Sequence, residues 1–475
     1  MVADKVLGNL VILSSPDRVI RKHGKDPLMN KNSMVYVVHC VDAEGPLYES
    51  LEATFERVYQ IFGIKLSPSR ETLIKLQHRK FDLSGQEEAV ARVVAPHLLA
   101  YNDTWDKIDA MLERIGDASF RNQHPDSEGG GWIYNWHCVD HVGYSVNPRR
   151  RDIGYHNVFD HYRNFIDETQ APDGLHWHFH PTHPSGWAHK SATLYLRDTK
   201  FFDILTRRLI DRNWFPSVNR AGFHTERPDS HWILEQWIPF DMSNQACNNP
   251  DVQPDQANGR FGDWRRASVD WSIYHPHHDD YQIPGACRRY IAQCLNVGTR
   301  LCLLGEHDVR KAFERARQEG PTVMAFTNHD FRDIGGDVQN VINLLRKVAP
   351  DYPDVRYRYS EAREAMNRTL FGEYVSPNSD LLVIKLESGT LKGSKVLTVE
   401  AREPVFGPQP FLAMQTADGE YYHDNFDIQE PFRHWTYVFD DHTFPWRMID
   451  TVVVATNDRR GFPHVVRVEH NESDR

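Results

Sequence analysis

The stretch that most constrains this chain is Met34-Val35-Tyr36-Val37-Val38-His39-Cys40-Val41. A continuous apolar, β-branched run of this kind reads as a strand buried on both faces, as in a parallel sheet covered by helices. It stops at Asp42-Ala43-Glu44-Gly45-Pro46, and Gly-Pro marks a turn. Two carboxylates therefore fall at the strand's C-terminal end.

Later segments repeat that theme. Helical periodicity covers Ser50 to Phe62, Ser69 to His78, Gln86 to Tyr101 and Thr104 to Ile115, with Ser50, Ser69 and Thr104 as N-caps. Gly129-Gly130-Gly131 breaks the chain before a strand over Trp132 to Trp136. A helix over Tyr155 to Glu168 leads into a histidine-rich segment. Next come a helix near Lys200 to Arg212, a strand Phe215 to Arg220, a helix Pro228 to Trp237 and a short strand Ile238 to Met242. The last units are a helix Asp308 to Glu319, a strand Thr322 to Thr327, a helix Val338 to Val348, a strand Val355 to Tyr359 and a helix Ser360 to Leu370. Alternation of this kind predicts an α/β fold with a parallel sheet or barrel. Polar residues collect at strand C-terminal ends, the face where parallel barrels build their sites. Residues 1–33 read as a short apolar stretch and a polar loop. Residues 244–285, rich in Asn, Pro, Asp and His, read as an irregular insertion.

Beyond about residue 378 the pattern changes to short strands: Leu381 to Glu387, Lys395 to Arg402, Phe411 to Thr416, His434 to Phe439 and Asp450 to Ala455. The expected organisation is a (β/α) barrel over residues 1–375, interrupted near 244–285, followed by an all-β, sandwich-like domain over 376–475.

Composition narrows the function classes. A net charge of −11 argues against an electrostatic nucleic-acid binder. The one short basic run, Arg149-Arg150-Arg151, reads as a solvated loop. Six cysteines form no CxxC pair, so a zinc ribbon or thioredoxin-type site is unsupported. No apolar run approaches a membrane span, and Met1 to Ile20 lacks the basic start and apolar core of a signal peptide. The expectation is a cytoplasmic protein with reduced thiols. The 12 Trp and 19 Tyr suit either a sugar-lined cleft or an aromatic core.

Chemistry concentrates in Gly174-Leu175-His176-Trp177-His178-Phe179-His180-Pro181. Buried imidazoles need partners for both ring nitrogens, and neutral imidazole is the commonest metal ligand. Were the segment helical, His176 and His180 would be i,i+4 neighbours; were it a strand, all three histidines would face one side. Asp42 and Glu44, spaced i,i+2, would also share a side, and two carboxylates there repel unless a cation or proton intervenes. One of them beside two imidazoles makes a His₂-carboxylate set with open positions. His275-Pro276-His277-His278-Asp279-Asp280 reads as a second metal site, a lid or, more simply, a polar surface loop.

The histidine segment resembles the second motif of the polysaccharide deacetylases, carbohydrate esterases of the chitin-oligosaccharide deacetylase type, and the resemblance covers about residues 34–370. Val41 to Pro46 resembles the first motif, Arg220-Ala221-Gly222-Phe223-His224 the third and His329 the last, in the family's order. The resemblance implies a distorted (β/α) barrel of that type holding a divalent metal, expected to be Zn²⁺, on Glu44, His176 and His180. It further implies Asp42 as base, Arg220 as the partner that keeps Asp42 ionised, and His329 as the acid that protonates the departing amine. His178 becomes a cleft or supporting residue, and Asp270-Trp271 either a tuning pair for the acid or a core Trp beside a surface Asp. The implied activity is metal-dependent removal of acetyl groups from a saccharide or glycan precursor, with carbohydrate as substrate. The alternatives are an amidase on a small non-sugar substrate and a degenerate, non-catalytic carbohydrate-binding or scaffold protein. The last draws on Gly222-Phe223, which stand where the family usually carries Pro-Tyr.

Overall fold

The computed structural model describes residues 33–248, 259–375 and 381–469. The expected apolar stretch and loop over 1–32, and residues 249–258 of the expected insertion, lie outside the described residues.

Eight parallel strands build the first part: β1 (Met34–Ala43), β2 (Tyr134–Cys138), β3 (Gly174–Phe179), β4 (Val218–Ala221), β5 (Phe240–Asn244), β6 (Tyr290–Asn296), β7 (Thr322–His329) and β8 (Arg356–Tyr359). Each of β1 to β6 pairs with its successor, and β7 pairs with β1, which closes a seven-stranded barrel. β8 sits outside the closure. It pairs with Met34–Val37 of β1, while His39–Ala43 of the same edge pair with β2. All ten residues of β1 are buried, as the unbroken apolar run requires.

Alternation along β1 divides the interior. Met34, Tyr36, Val38 and Cys40 meet Phe240, Met242, Cys294 and Ala325 inside the barrel, whose floor is closed by Ala362, Ala365 and Met366 of the helix Ala362–Phe371. Val35, Val37 and Val41 face outward into the helical layer, among Val309, Phe313, Val338 and Ile342. Each such fully buried aliphatic contributes about 1.5–3 kcal/mol relative to exposure. Asp42, next in the inward series, is thereby delivered to the top of the barrel interior.

The expected N-caps hold: Ser50, Ser69 and Thr104 accept from the backbone N–H groups of Ala53, Thr72 and Lys107. The helix expected over Gln86 to Tyr101 is two pieces, Glu87–Val93 and Pro96–Leu99. Pro96 cannot donate and its ring clashes with the preceding turn, so it opens a new helix instead of continuing one. β6 was not expected, as Gln293 and Asn296 break up its apolar run.

The second part is antiparallel. β9 (Leu382–Ser388), β10 (Lys395–Ala401), β11 (Phe411–Thr416), β12 (Tyr421–Asp424), β13 (Asp427–Glu430), β14 (His434–Phe439), β15 (Ile449–Asn457) and β16 (Pro463–Glu469) form two four-stranded sheets. Leu397, Leu412, Trp435 and Val452 fill the space between them. β12, β13 and β16 were not expected either; β13 is exposed throughout and carries no apolar face to announce it. The opposite side chains of β11 and β15, Phe411, Ala413, Val453 and Ala455, pack on Phe201, Leu205 and Leu209 of the barrel helix Lys200–Arg212. Asn457 Nδ2 adds 2.7 Å hydrogen bonds to the carbonyls of Pro216 and Trp237. One face of this module is thus committed to the barrel. Among the described residues no helix is long and apolar enough to cross a membrane.

Candidate metal centre

The histidine segment is a strand, β3, that ends at Phe179, with His180 and Pro181 following in extended line. Its period of two turns His176, His178 and His180 inward, but at different heights. Strand residues rise about 3.3 Å each, so i and i+4 stand about 13 Å apart along the strand. His178 and His180 sit at the barrel mouth, and their Nε2 atoms lie 2.9 Å apart. Glu44 Oε1 is 3.5 Å from His180 Nε2 and 3.9 Å from His178 Nε2. His178 Nδ1 is 2.7 Å from the Arg220 carbonyl, to which it donates. That leaves Nε2 as the lone-pair nitrogen, the arrangement in which a backbone acceptor orients a metal-binding imidazole. Two imidazole nitrogens and a carboxylate oxygen within 4.8 Å of one another suit zinc or a similar divalent ion.

His176 belongs elsewhere. Its Nε2 lies 3.1 Å from Asn135 Oδ1 and 3.2 Å from Glu361 Oε1, deep in the barrel. Glu361 is also the N-cap of the floor helix, and although burial opposes ionisation, His176 and Arg363 hold its carboxyl at about 2. The ligand set expected from the sequence was Glu44, His176 and His180; the structure brings His178 to the other two and sets His176 in the floor. The i,i+4 spacing is right for a helix and too long for a strand.

Asp42 and Arg220 meet as expected. Arg220 Nε and Nη2 reach the two Asp42 oxygens at 2.5 and 3.0 Å. Burial alone would raise the Asp42 pKa; Arg220, His178 and His329 outweigh it and hold the carboxyl far below its usual range. Arg220 is itself placed by the Met242 carbonyl at 3.1 Å and His224 Nε2 at 3.0 Å. His329 Nε2 stands 3.6 Å from Asp42 Oδ2 and 3.8 Å from Glu44 Oε1. Burial outweighs the pull of both acids and brings His329 down to about 4, so its imidazole is neutral at pH 7.

Residues with little or no mark in the sequence hold this arrangement in place. The backbone N–H groups of Glu44 and Gly45 donate to Asp330 at 2.9 and 2.8 Å, and the Tyr162 hydroxyl donates to the same carboxylate at 2.7 Å. Burial pushes Asp330 up to about 7. His141 Nε2 lies 3.0 Å from the Glu44 carbonyl. Arg151, expected in a solvated loop, is instead buried and paired with Glu44 Oε2. Despite burial, Arg151 and His180 keep Glu44 well below the carboxylate range. Of these, only Asp330 carried a sequence signal, since it directly follows His329 at the end of β7. Gly222 also matters by what it lacks: a Cβ there would collide with the His180 ring.

Asp270 and Trp271 lie away from the centre. Trp271 is a core residue donating Nε1 to the Asp308 carbonyl, and Asp270 bonds Ser268 and Ser272. His278 and Asp279 are exposed and His277 is half-buried beside them, a polar surface loop. A second convergence, His231, Glu235 and Cys287, already contains a cation: Arg289 Nη1 is 2.6 Å from His231 Nδ1 and 3.2 Å from Glu235 Oε1.

Above the centre opens a cavity of about 330 Å³ whose walls include Asp42, Glu44, His180, His224 and His329. That is the scale of a small-ligand site. Ionised Asp42 and Glu44 thus line one partly enclosed space with the His180 and His329 imidazoles, and His178 and Arg220 stand buried behind them. Compared with known proteins, the chain matches no family model and no curated sequence.

Proposed function

We propose that the protein is a metal-dependent hydrolase that removes acyl groups from a saccharide or glycan precursor, a divergent relative of the polysaccharide deacetylases. The observation that carries this reading is the convergence of Glu44, His178 and His180 beside the Asp42–Arg220 pair, at a cavity that Asp42, Glu44 and His180 line. A divalent ion, zinc in this reading, would be held by Glu44 Oε1, His178 Nε2 and His180 Nε2 and would supply Lewis acidity and a more acidic water.

The chain's own residues divide the rest of the work. Asp42, ionised because Arg220 clamps it, accepts a proton from the water that attacks the acyl carbon. Arg220 fixes the direction of that carboxylate and stays charged throughout. His329, across Asp42 from Arg220, returns a proton to the departing amine or alcohol. It is neutral at rest, so it first takes the proton that Asp42 accepted from the water, its Nε2 standing 3.6 Å from Asp42 Oδ2. Asp330, His141 and Tyr162 hold the Glu44 loop, which keeps the carboxylate aimed between the two imidazoles. The same groups suit a small non-sugar amide, so the acyl donor is the part of this reading that a substrate panel decides.

The second reading, a non-catalytic carbohydrate-binding or scaffold protein, draws on Arg151, which already neutralises Glu44 without a metal ion. One experiment separates the two: acetate release from a panel of acetylated oligosaccharides, with elemental analysis of the same preparation. Release that is abolished in Asp42→Asn while about one metal ion per chain remains supports the hydrolase. Glycan binding with no release across the panel supports the binding protein.

A further inference from the structure

The cavity has a second wall of different chemistry. Besides the centre, it is lined by Arg57, Arg149, Arg300 and Arg332. Among the described residues, Glu49 is the one carboxylate that pairs with this group, and it meets only Arg57 and Arg149. Arg57 Nη1 is 2.6 Å from Glu49 Oε1, and Arg149 Nη1 is 3.3 Å from Oε2. The Arg332 guanidinium donates to the Leu98 carbonyl at 3.2 Å, and packs over Phe331 and Tyr101 at 4.9 and 5.5 Å. Arg300 donates Nε to the Val93 carbonyl at 3.2 Å, and its buried Nη2 has no hydrogen-bond partner among the described residues.

Such crowding is costly. Burial, with Arg57 and Arg332 nearby, pulls Arg300 down to about 10, and burial with Arg57 also lowers Arg149. A buried guanidinium with an unmet donor and like-charged neighbours is relieved by an oxyanion, which planar N–H forks accept in pairs. The chain as a whole carries −11, so this wall is a local reversal of sign and not a share of general basicity. Phe331 joins the wall to the centre: Arg151 and Arg332 both stack on it at 4.9 Å, and its ring lies 4.7 Å from that of His329.

We infer that this wall is an anion subsite, so that the molecule presented to the centre carries a carboxylate or phosphate group received by Arg300 together with Arg57, Arg149 and Arg332. The assignment of that molecule as an acylated substrate rests on the hydrolase reading; the anion subsite does not.

The test is calorimetric titration of the full chain at low ionic strength with inorganic phosphate and, separately, with glutarate. Wild type is expected to bind one anion per chain, and Arg300→Gln to bind it at least ten-fold more weakly. The tighter of the two probes identifies the anion as phosphate or carboxylate. Arg332→Gln, at a guanidinium held mainly by ring packing, is the second variant should Arg300→Gln not fold. Absence of saturable binding of either probe, or equal binding by wild type and the folded arginine variants, overturns the subsite. A parallel assay compares acetate release from an N-acetylated hexosamine, its 6-phosphate and its 6-carboxylate. Release with no preference for the anionic forms overturns the subsite and leaves the hydrolase intact. Anion binding lost in Arg300→Gln, with no release from any of the three, supports the subsite and counts against the hydrolase.

Discussion

His178, in β3, and His180, just past its end, bring their Nε2 atoms to 2.9 Å of one another. Neighbouring imidazoles on the same strand face do not by themselves converge so closely. His178 is turned by its bond to the Arg220 carbonyl, and His180 bends in over a glycine. The expected consequence is that His178→Ala abolishes stoichiometric metal binding, whereas His176→Asn retains it. His176→Asn loses its contact with Glu361 and should cost about 1–3 kcal/mol of stability, the range for disturbing a buried polar pair. Elemental analysis and chemical denaturation of the two variants check both statements. Metal lost in His176→Asn and kept in His178→Ala would reverse the assignment.

Gly222 tests the same centre from outside it. Its added methyl would meet the His180 ring, so Gly222→Ala must displace that ring or the backbone. Overpacking of this kind costs about 1–3 kcal/mol. Here the larger effect is expected on the metal, with affinity falling about 10–100-fold, as for loss of a residue that orients a ligand. A metal titration of the folded variant measures it; unchanged affinity would show that His180 is not a ligand.

Asp42 makes a buried ion pair with Arg220, so its replacement tests both chemistry and stability. Asp42→Asn should lower acyl release about 10²–10⁴-fold, the usual contribution of a positioned base, while metal content stays constant. Because Arg220 is left buried beside a neutral amide, stability should also fall by about 3–5 kcal/mol, as when one partner of a buried pair is removed. Thermal melts and initial rates of the same preparation separate the two effects.

His423 offers a pH test far from the centre. It lies in the seam between the β-module and the barrel, stacked on Phe411 at 4.0 Å and on Phe202 at 5.0 Å. Burial brings its pKa from an ordinary 6.5 down to about 4, against the hydrogen bond to the Leu412 carbonyl. A depressed folded pKa means that the unfolded chain takes up the proton first. The stability this neutral ring supplies is therefore complete above about pH 6.5 and is lost as pH falls toward 4. Each tenfold loss of proton affinity on folding corresponds to about 1.4 kcal/mol, so His423→Phe should be less sensitive to pH across that window than wild type. Denaturation midpoints at about pH 7.5, 5.5 and 4.5 read the difference; parallel curves would show that the seam does not titrate.

Much of the barrel was legible because burial on both faces leaves a plain mark. β1 is one apolar run, and its length told where Asp42 and Glu44 would stand. β6 was illegible for the converse reason, as its buried Asn296 and Gln293 interrupt the apolar pattern. Arg151 shows the limit for charge. Three consecutive arginines look like a solvated loop until the fold lays one of them, buried, against Glu44.

The sequence by itself determined the α/β alternation and the placement of acids, arginine and histidine at strand ends. The pairing of Asp42 with Arg220 was an expectation of the family resemblance. The alternation and the strand-end placement follow from short-range patterns, hydrophobic period and turn residues, which the chain carries locally. Only the tertiary structure decided which histidines share a centre, since a strand separates i from i+4 by about 13 Å where a helix brings them together. It alone decided, too, that arginines from four distant segments line the cavity beside that centre. Charges so far apart in sequence carry no common pattern until barrel closure puts them on one wall.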